Sequence, residues 1–394
     1  MTSLPVIVFL AGAGFTLYIV AGYPLLLALL AWWRPKPVHK RFEDKTVTVL
    51  LAVYNGEPWI RAKLESILRL DYPRELLRIL VISDGSTDQT DSIASEFRGH
   101  GVELLRVPHG GKAAALNAGM ARATGDILFF TDVRQPLQPD ALRELVACLG
   151  DPSVGGASGH IVFAKSDGGG EADMGLYWRF EKWLRDKLTE ADSVLVATGC
   201  IYALRRELAR PLPVAALIDD AYLPLAAIFQ GYRFVFERRA MAYDYPTRLE
   251  VEFRRKVRTL AGLIQLAGSY PRLLNVFTRT GCHFFSYKLG RLLLPYALLA
   301  MTVSSFWLPR PWAEAIVAGQ ALLFGLAAVD HWVPAGAALK RLSAVCRTCV
   351  VLIAAAFCAG SILFVPAGML WTETRVKAAA NELGSPTSTP GVDV

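Results

Sequence analysis

The amino-acid sequence predicts an α/β domain with a doubly wound, mostly parallel sheet, joined to membrane-spanning helices at both of its ends. From residue 46 onward, short β-rich runs alternate with helical runs, which is the pattern of parallel strands joined by crossover helices. Long apolar runs lie before and after this region. They account for a hydrophobic content of 53% beside 20% charged residues in a chain of 394 residues.

The first apolar run, residues 4–33, is longer than the roughly 20 residues that a helix needs to cross the hydrocarbon core of a membrane. A cleaved signal peptide is the alternative, but the run is too long for one and no basic region precedes it. Basic residues follow it at Arg34, Lys36, Lys40 and Arg41. By the positive-inside rule, we expect an external N-terminus and a cytoplasmic domain after the run, in a multi-pass protein of the bacterial inner (plasma) membrane.

Polar residues follow three of the predicted strands, at Tyr54 and Asn55, at Asp84 and at Asp132. Ligands of open parallel sheets bind at the carboxyl ends of the strands, so we expect the site at this edge. The predicted strands are TVTVLLAVY at 46–54, LRILVISD at 77–84, VELLRV at 102–107 and DILFFTD at 126–132, with helices around 57–70, 88–98 and 111–123.

Membrane-associated patterns occur both within the later part of the α/β domain and after it. Residues 174–190 and 248–280 mix charges with aromatic or aliphatic side chains, which predicts amphipathic helices in the bilayer interface. Apolar runs at 292–308, 313–333 and 348–371 predict about three further membrane helices. The predicted organisation is an N-terminal transmembrane helix over 1–34, the α/β domain over 35–247, interfacial helices over 248–285, transmembrane helices over 286–376 and a disordered tail over 377–394.

The net charge of +7 arises partly from the basic residues beside the membrane segments. Such residues favour contact with the anionic lipids of a membrane leaflet. We expect no nucleic-acid partner, because no long stripe of basic and aromatic residues accompanies the charge. The six cysteines are scattered without the spacing of metal ligands, which predicts free thiols in a reducing compartment.

Four short motifs carry the chemical information: SDGSTD at 83–88, HGGKAAALNAG at 109–119, TD at 131–132 and IDD at 218–220. Each has an ordinary structural interpretation, as a turn, a helix start or a helix cap. Each also has a functional interpretation. In HGGKAAALNAG, for example, backbone N–H groups and Lys112 at a helix start can meet a diphosphate. Their order and spacing along the chain distinguish between the two interpretations.

Taken together, these motifs resemble the family 2 glycosyltransferases, the inverting group that includes the cellulose, chitin, hyaluronan and poly-N-acetylglucosamine synthases. The resemblance covers roughly residues 46–265. It implies a cytoplasmic GT-A fold, a UDP-sugar donor, a Mg²⁺ or Mn²⁺ ion and a membrane-associated, lipid-linked or polysaccharide acceptor. The implied process is the synthesis of a cell-surface polysaccharide or glycolipid, with partner subunits of a synthesis complex.

The resemblance also assigns roles to individual residues. Tyr54, Glu57 and Asp84 would cradle the uridine, Lys112 would approach the diphosphate, and Asp132 would be the first aspartate of the DxD metal motif. Asp220 falls on the last position of the family's TED motif and would be the general base. The remaining expected residues are Asn55 and Asn117 on the donor side, Asp219 beside the base, and Trp178, Trp183, Thr198, Gly199 and Cys200 on the acceptor side.

The sequence departs from the family pattern in two motifs. The DxD motif reads Asp132, Val133, Arg134, so that either Arg134 meets the diphosphate or Asp132 alone holds the metal ion. The QxxRW motif is replaced by the segment 255–259, which has no tryptophan. Its Arg255 and Arg258 lie on one helix face, where they either clamp phosphate or form a basic face against lipid headgroups.

Inversion needs one carboxylate, which takes the proton of the acceptor hydroxyl while that oxygen attacks C1 of the sugar. We expect Asp220 to perform this step and Asp219 to cap the following helix. Two alternatives stay open. The chain could be a polyprenyl-phosphate or ceramide glycosyltransferase, or, because two motifs are broken, a non-catalytic relative that binds nucleotide or a partner synthase.

Overall fold

The computed structural model describes residues 4–163, 171–244, 249–334 and 337–365, with the side chains of 163, 171–178, 249–252 and 352 left aside. The predicted disordered tail, 377–394, lies outside the described residues, as does the side chain of Trp178. All other predicted site residues lie within them.

The chain begins with a long apolar helix of 30 residues. It consists of α1 (Leu4–Leu17), a π-helical turn (Tyr18–Gly22) and α2 (Tyr23–Trp33). Tyr23 and Leu27, in the first half of α2, are buried against the α/β domain, whereas α1 has no buried residue.

The α/β domain contains a seven-stranded sheet with the order β3-β2-β1-β4-β6-β5-β7. β1 to β4 pair in parallel, β6 is antiparallel to both of its neighbours, and β5 pairs in parallel with β7. The predicted fold class is therefore confirmed. The strands are β1 (Val47–Val53), β2 (Leu77–Asp84), β3 (Val102–Val107), β4 (Ile127–Thr131), β5 (Val154–Phe163), β6 (Ile201–Arg205) and β7 (Arg233–Asp244).

Helices cover both faces of this sheet, so its central strands are apolar without interruption. Val49, Leu50 and Leu51 of β1, for example, are all fully buried. The carboxyl ends of β1, β2 and β4 reach the same edge, where the polar residues predicted from the sequence lie. The helices of the domain are α3 (Glu57–Leu68), α4 (Thr90–Glu96), α5 (Lys112–Arg122), α6 (Ala141–Leu149), α7 (Glu171–Ala191), α8 (Asp219–Phe229) and α9 (Leu249–Ser269).

The two helices predicted to lie in the bilayer interface, α7 and α9, connect the domain to the apolar helices. Leu184 and Leu188 of α7 pack against Tyr23 and Leu27 of α2. α9 packs against the last apolar helix, where Ala261 shares a buried cluster with residues near its end. The remaining helices are α10 (Arg279–His283), a π-helical segment (Phe284–Leu289), α11 (Gly290–Ser305), α12 (Trp312–Val329) and α13 (Ala338–Ala359).

Among the described residues, three helices are long and apolar enough to cross a membrane: 4–33, 312–332 and 338–363. The last of these begins ten residues before the predicted run at 348. The additional turns contain basic residues that pair with buried Asp330. Lys340 Nζ lies 3.1 Å and Arg347 Nη1 3.0 Å from the Asp330 carboxylate.

α11 is shorter than these three helices, but it runs antiparallel along the first one. Gly290, at its start, lies against Ile19, and Met301, near its end, lies against Gly12. The rings of Phe15 and Phe285 are 6.4 Å apart. α11 therefore accompanies the first apolar helix through the same layer.

We expect the loop 306–311 to lie on the external side, because α11 pairs with the first apolar helix and returns to the level of its N-terminus. In a variant with Cys282, Cys349 and Cys358 replaced by alanine, Arg310→Cys should react with a membrane-impermeant thiol reagent in intact cells. Arg34→Cys in the same background is the control and should react only after lysis. Protection of both cysteines in intact cells would show that α11 does not cross the membrane.

Candidate active site

A cavity of about 250 Å³ lies at the carboxyl end of β4 and the amino end of the antiparallel strand β6, between α7, α8 and α9. It brings together residues that are far apart in the sequence, from α5 to α9. Nine of the residues predicted from the sequence line it: Lys112, Asp132, Thr198, Gly199, Cys200, Asp219, Asp220, Arg255 and Arg258.

Lys112 joins two carboxylates across this cavity. It is the first residue of α5, and its Nζ lies 2.9 Å from Asp132 Oδ1 and 3.1 Å from Asp219 Oδ2. Burial lowers the pKa of Lys112, but the charges of Asp132 and Asp219 raise it more, so the net pKa lies above its ordinary value. The ammonium group is therefore charged and links the end of β4 to the start of α8.

The two aspartates at the start of α8 have different surroundings. The expectation that Asp219 caps the helix is wrong: the N-cap is Ile218, without a side-chain hydrogen bond, and Asp219 is bound by Lys112. Asp220 faces Gly199, where a Cβ atom would come within 3.1 Å of Asp220 Oδ2. Gly199 thus leaves room for the Asp220 carboxylate in the cavity wall.

The electrostatic environment of Asp220 makes its carboxylate more basic than usual. Burial and the charge of Asp219 raise the pKa of Asp220 to about 7, while the charges of Lys112 and Arg258 oppose this rise. A carboxylate whose pKa lies near neutral pH is suited to accept a proton from a substrate hydroxyl. Of the carboxylates that line the cavity, Asp220 therefore has the environment of a general base.

The expected nucleotide side contains an aromatic pair and a buried carboxylate. The rings of Tyr54 and His109 lie 4.3 Å apart, with Tyr54 partly exposed. Asp84 was expected to bind the uridine, but its carboxylate oxygens accept hydrogen bonds from Gly110 N at 2.8 Å and Gly111 N at 3.0 Å. These two amides, expected to meet the diphosphate, are therefore engaged by Asp84, which holds the loop that begins α5.

Three more residues expected to bind the donor bind the protein backbone. Asn55, in a left-handed conformation with φ of 48°, accepts a hydrogen bond from Thr87 N at 2.8 Å. Glu57 accepts one from the backbone N of Gln89 at 3.1 Å. The amide of Asn117 donates to and accepts from the backbone of residue 212, with 2.8 Å for each bond. These side chains shape the loops around the site.

The loop that carries Asp132 is held from two sides by the protein. Arg134 forms an ion pair with buried Asp244 at the end of β7, with Nη2 at 2.7 Å, and does not line the cavity. On the buried side of the loop, Lys63 of α3 donates to Thr131 Oγ1 at 2.6 Å and to the carbonyl of Gln135 at 2.5 Å. Arg134, for which contact with the diphosphate was one of two alternatives, thus anchors the loop in this structure.

The expected acceptor residues separate into two groups. Thr198, Gly199 and Cys200 line the cavity, as predicted. Trp183 does not line it: its ring stacks on Phe180, and it packs in the cluster between α7 and α2. Trp183 therefore belongs to the packing between α7 and α2 and not to the cavity wall.

The sequence analysis missed several residues of the site. Lys63 is fully buried, and the sequence of its amphipathic helix does not predict this burial. His160 of β5 and Lys182 and Arg185 of α7 also line the cavity. The alternating charges of residues 174–190 were the available signal for the two α7 residues, but they were assigned to the membrane interface.

The residues present fit a divalent ion only in part. The side chain of Asp132 is 36% exposed and one of its oxygens is bound by Lys112. Among the residues that the structure describes, no group of three or more His, Cys, Asp or Glu side chains could hold a metal ion. The altered DxD motif therefore offers Asp132 alone, which suits Mg²⁺ or Mn²⁺ only where phosphate oxygens supply further ligands.

Residues 48–212 match the family model described as "Glycosyl transferase family 2". The matched segment begins in β1 and contains Asp84, Lys112 and Asp132, whereas Asp219 and Asp220 lie beyond it. The mostly parallel sheet of this segment, extended by β7, is the GT-A fold. The matched part of the chain is therefore a glycosyltransferase domain similar to those of glycosyl transferase family 2.

Two curated relatives support this assignment. The "Probable glycosyltransferase YdaM" of Bacillus subtilis (strain 168) is 26% identical over 247 residues, which cover 58% of this chain and 57% of the relative. The "Poly-beta-1,6-N-acetyl-D-glucosamine synthase" of Staphylococcus epidermidis is 33% identical over 108 residues, 27% of this chain and 25% of that protein. The chain thus spans little more than half the length of the first relative and a quarter of the second.

Among solved structures, the chain is similar to the mannosyltransferase PcManGT from Pyrobaculum calidifontis in complex with GDP-Man and Mn²⁺. The TM-score is 0.69 and the sequence identity 25%, and the similarity covers 91% of this chain and 99% of that one. It therefore extends beyond the α/β domain to helices that surround it.

We expect Lys63→Met to lower the free energy of unfolding by about 1–3 kcal/mol, because the substitution leaves the buried carbonyl of Gln135 and the hydroxyl of Thr131 without their donor. The measurement is the thermal unfolding midpoint of the purified protein in detergent, with Lys187→Met, an exchange on a less buried helix position, as the control. An unchanged or raised midpoint would show that the cost of burying the ammonium exceeds the gain from its two hydrogen bonds.

Proposed function

We propose that this chain is an inverting glycosyltransferase that moves a sugar from a nucleotide-sugar donor to a membrane-associated or lipid-linked acceptor. The observation that carries the proposal is the position of Asp220, a carboxylate with a raised pKa in the same cavity as Lys112, Asp132 and Arg258. The family match of residues 48–212 supports the reaction class, and PcManGT with GDP-Man supports a nucleotide sugar as donor.

In the proposed reaction, the hydroxyl oxygen of the acceptor attacks C1 of the donor sugar from the face opposite the diphosphate. Asp220 takes the hydroxyl proton as the new C1–O bond forms. The bond between C1 and the diphosphate oxygen breaks, and its electron pair leaves with the nucleoside diphosphate. The fixed charges of Lys112 and Arg258 lower the energy of the negative charge that develops on this leaving group.

A divalent ion, when bound, would be held by Asp132 and would neutralise charge on the diphosphate. Because Asp132 is the single carboxylate of the broken motif, most of the other ligands would come from the donor and from water. Lys112 would then exchange part of its contact with Asp132 for the diphosphate. Arg134 keeps its ion pair with Asp244 and holds the Asp132 loop in place.

The membrane-associated acceptor is supported by the walls of the cavity. α7 contributes Glu181, Lys182 and Arg185, and the same helix packs against α2 through Leu184 and Leu188. α9 contributes Arg255 and Arg258 and packs against α13. Both walls therefore belong to helices that contact an apolar helix long enough to cross a membrane. An acceptor held in the membrane reaches the cavity without leaving the bilayer surface.

We expect Asp220→Asn to lower sugar transfer by at least about a hundredfold, because the amide cannot take a proton, while donor binding is retained. Asp219→Asn, which removes a partner of Lys112, should be milder and should mainly lower the thermal unfolding midpoint. The assay measures nucleotide release from UDP- and GDP-sugars by the protein in nanodiscs, with Mn²⁺ and with a chelator. Transfer within a few-fold of wild type in Asp220→Asn would place the base elsewhere.

A second prediction concerns pH. A general base must be deprotonated, and burial together with Asp219 raises the pKa of Asp220 to about 7. We therefore expect kcat to fall by about tenfold per pH unit as the pH decreases below this value. The charges of Asp219 and Asp132 both raise the pKa of Asp220, so the apparent midpoint depends on the whole cluster. Donor binding measured over the same pH range is the control, and a flat kcat profile from pH 5 to pH 8 would contradict the role of Asp220.

A further inference from the structure

One wall of the cavity carries basic side chains that the proposed reaction does not use. His160 of β5 and Lys182 and Arg185 of α7 line this wall. Arg238 of β7 adds a further positive charge that acts on His160 and Lys182. We refer to His160, Lys182 and Arg185 as the basic wall.

The carboxylates near the basic wall are bound by residues other than Lys182. Glu181 is buried, accepts a hydrogen bond from the hydroxyl of Tyr287, pairs with Arg291 Nη1 at 2.9 Å and lies 3.7 Å from Arg185 Nε. Asp186 forms an ion pair with Arg238. Lys182 forms no ion pair with either carboxylate, and none is present for it among the described residues.

The charges of the wall act on one another. Burial, followed by the charges of Lys182 and Arg185, lowers the pKa of His160 to about 4. Burial and the charge of Arg238 lower the pKa of Lys182. With a pKa of about 4, His160 is neutral near pH 7. The positive charges of Lys182, Arg185 and Arg238 create a field that attracts an anion.

Two nitrogen atoms of the wall lack hydrogen-bond partners among the described residues. His160 is 9% exposed and its Nδ1 has no hydrogen-bond partner, and the same holds for Nε of Arg185. Arg185 is held in place through its Nη1, which donates to Thr198 Oγ1 at 2.8 Å. Buried polar atoms are nearly always paired in folded proteins, so an unpaired set in a cavity wall fits a ligand that supplies the partners.

The location of the basic wall indicates which molecule contains the anionic group. Thr198, which holds Arg185, precedes Gly199, and Gly199 faces the proposed base Asp220. The wall thus lies beside the point where the acceptor must be deprotonated. α7, which carries two of its three residues, also packs on the first apolar helix. The ligand therefore reaches both the membrane surface and the reacting hydroxyl.

We propose that the basic wall is a subsite for a phosphate group of the acceptor, next to the hydroxyl that receives the sugar. This inference rests on the proposed function, since it assigns a chemical class to the acceptor. Phosphate matches the planar guanidinium of Arg185 and the ammonium of Lys182, and its oxygens can pair with several donors at once. Because α7 contacts the first apolar helix, the phosphate is that of a lipid-linked acceptor.

The test titrates the full-length protein, in nanodiscs of neutral phosphatidylcholine, with decyl phosphate, inorganic phosphate and uncharged decyl glucoside. We expect decyl phosphate to bind at least about tenfold more tightly than either of the others, as measured by calorimetry. Lys182→Gln should weaken this binding by about tenfold or more, the effect of losing one charge-assisted hydrogen bond, and Lys182→Arg should restore most of it.

Lys187→Gln is the matched control, because Lys187 lies on the same helix, pairs with Glu190 and does not line the cavity. It should bind decyl phosphate within about twofold of wild type. Equal binding by wild type and Lys182→Gln, with unchanged unfolding midpoints, would overturn the subsite. Equal, Lys182-dependent binding of decyl phosphate and inorganic phosphate would support the phosphate subsite and overturn the lipid as its source.

Nucleotide release from the donor without any acceptor tests the proposed function separately. A wild-type protein that releases nucleotide but does not bind decyl phosphate would overturn the subsite and leave the glycosyltransferase reaction in place. A protein that binds decyl phosphate through Lys182 but releases no nucleotide from any donor would support the subsite and contradict the proposed function.

Discussion

The ammonium group of Lys112 holds together the three segments that form the cavity. It begins α5, and it lies about 3 Å from carboxylates at the end of β4 and the start of α8. Without it, Asp132, Asp219 and Asp220 would be three like charges in a small, partly buried volume, where repulsion is strong because the effective dielectric constant is low. The ion pairs therefore fix the geometry of the site and offset this repulsion.

The position of Lys112 depends in turn on a carboxylate that the reaction does not use. Asp84 ends β2 and binds the amides of Gly110 and Gly111. Gly111 has a φ of 85°, a conformation that a side chain would strain, and it directly precedes Lys112. The end of β2 thus sets the start of α5, and that start places the ammonium between its two carboxylates.

The cavity is also tied to the apolar helices through both packing and charge. α7 contacts the first apolar helix through Leu184 and Leu188, and its Glu181 binds Tyr287 and Arg291 at the start of the α11 region. A buried carboxylate that lost these partners would carry a large desolvation cost. The α/β domain and the apolar helices therefore form one packed unit, and a change at the membrane surface would act directly on the cavity wall.

The sequence by itself determined the α/β class, the strands β1 to β4, the first apolar helix and nine residues of the cavity, because periodicity and strand ends are local properties of the chain. Only the tertiary structure decided which polar residues bind the protein. Asp84 binds a residue 26 positions away, Lys63 one 68 away, Asn117 one 95 away and Arg134 one 110 away. Such pairs depend on which strands and loops the sheet order brings together, and no local pattern records that order.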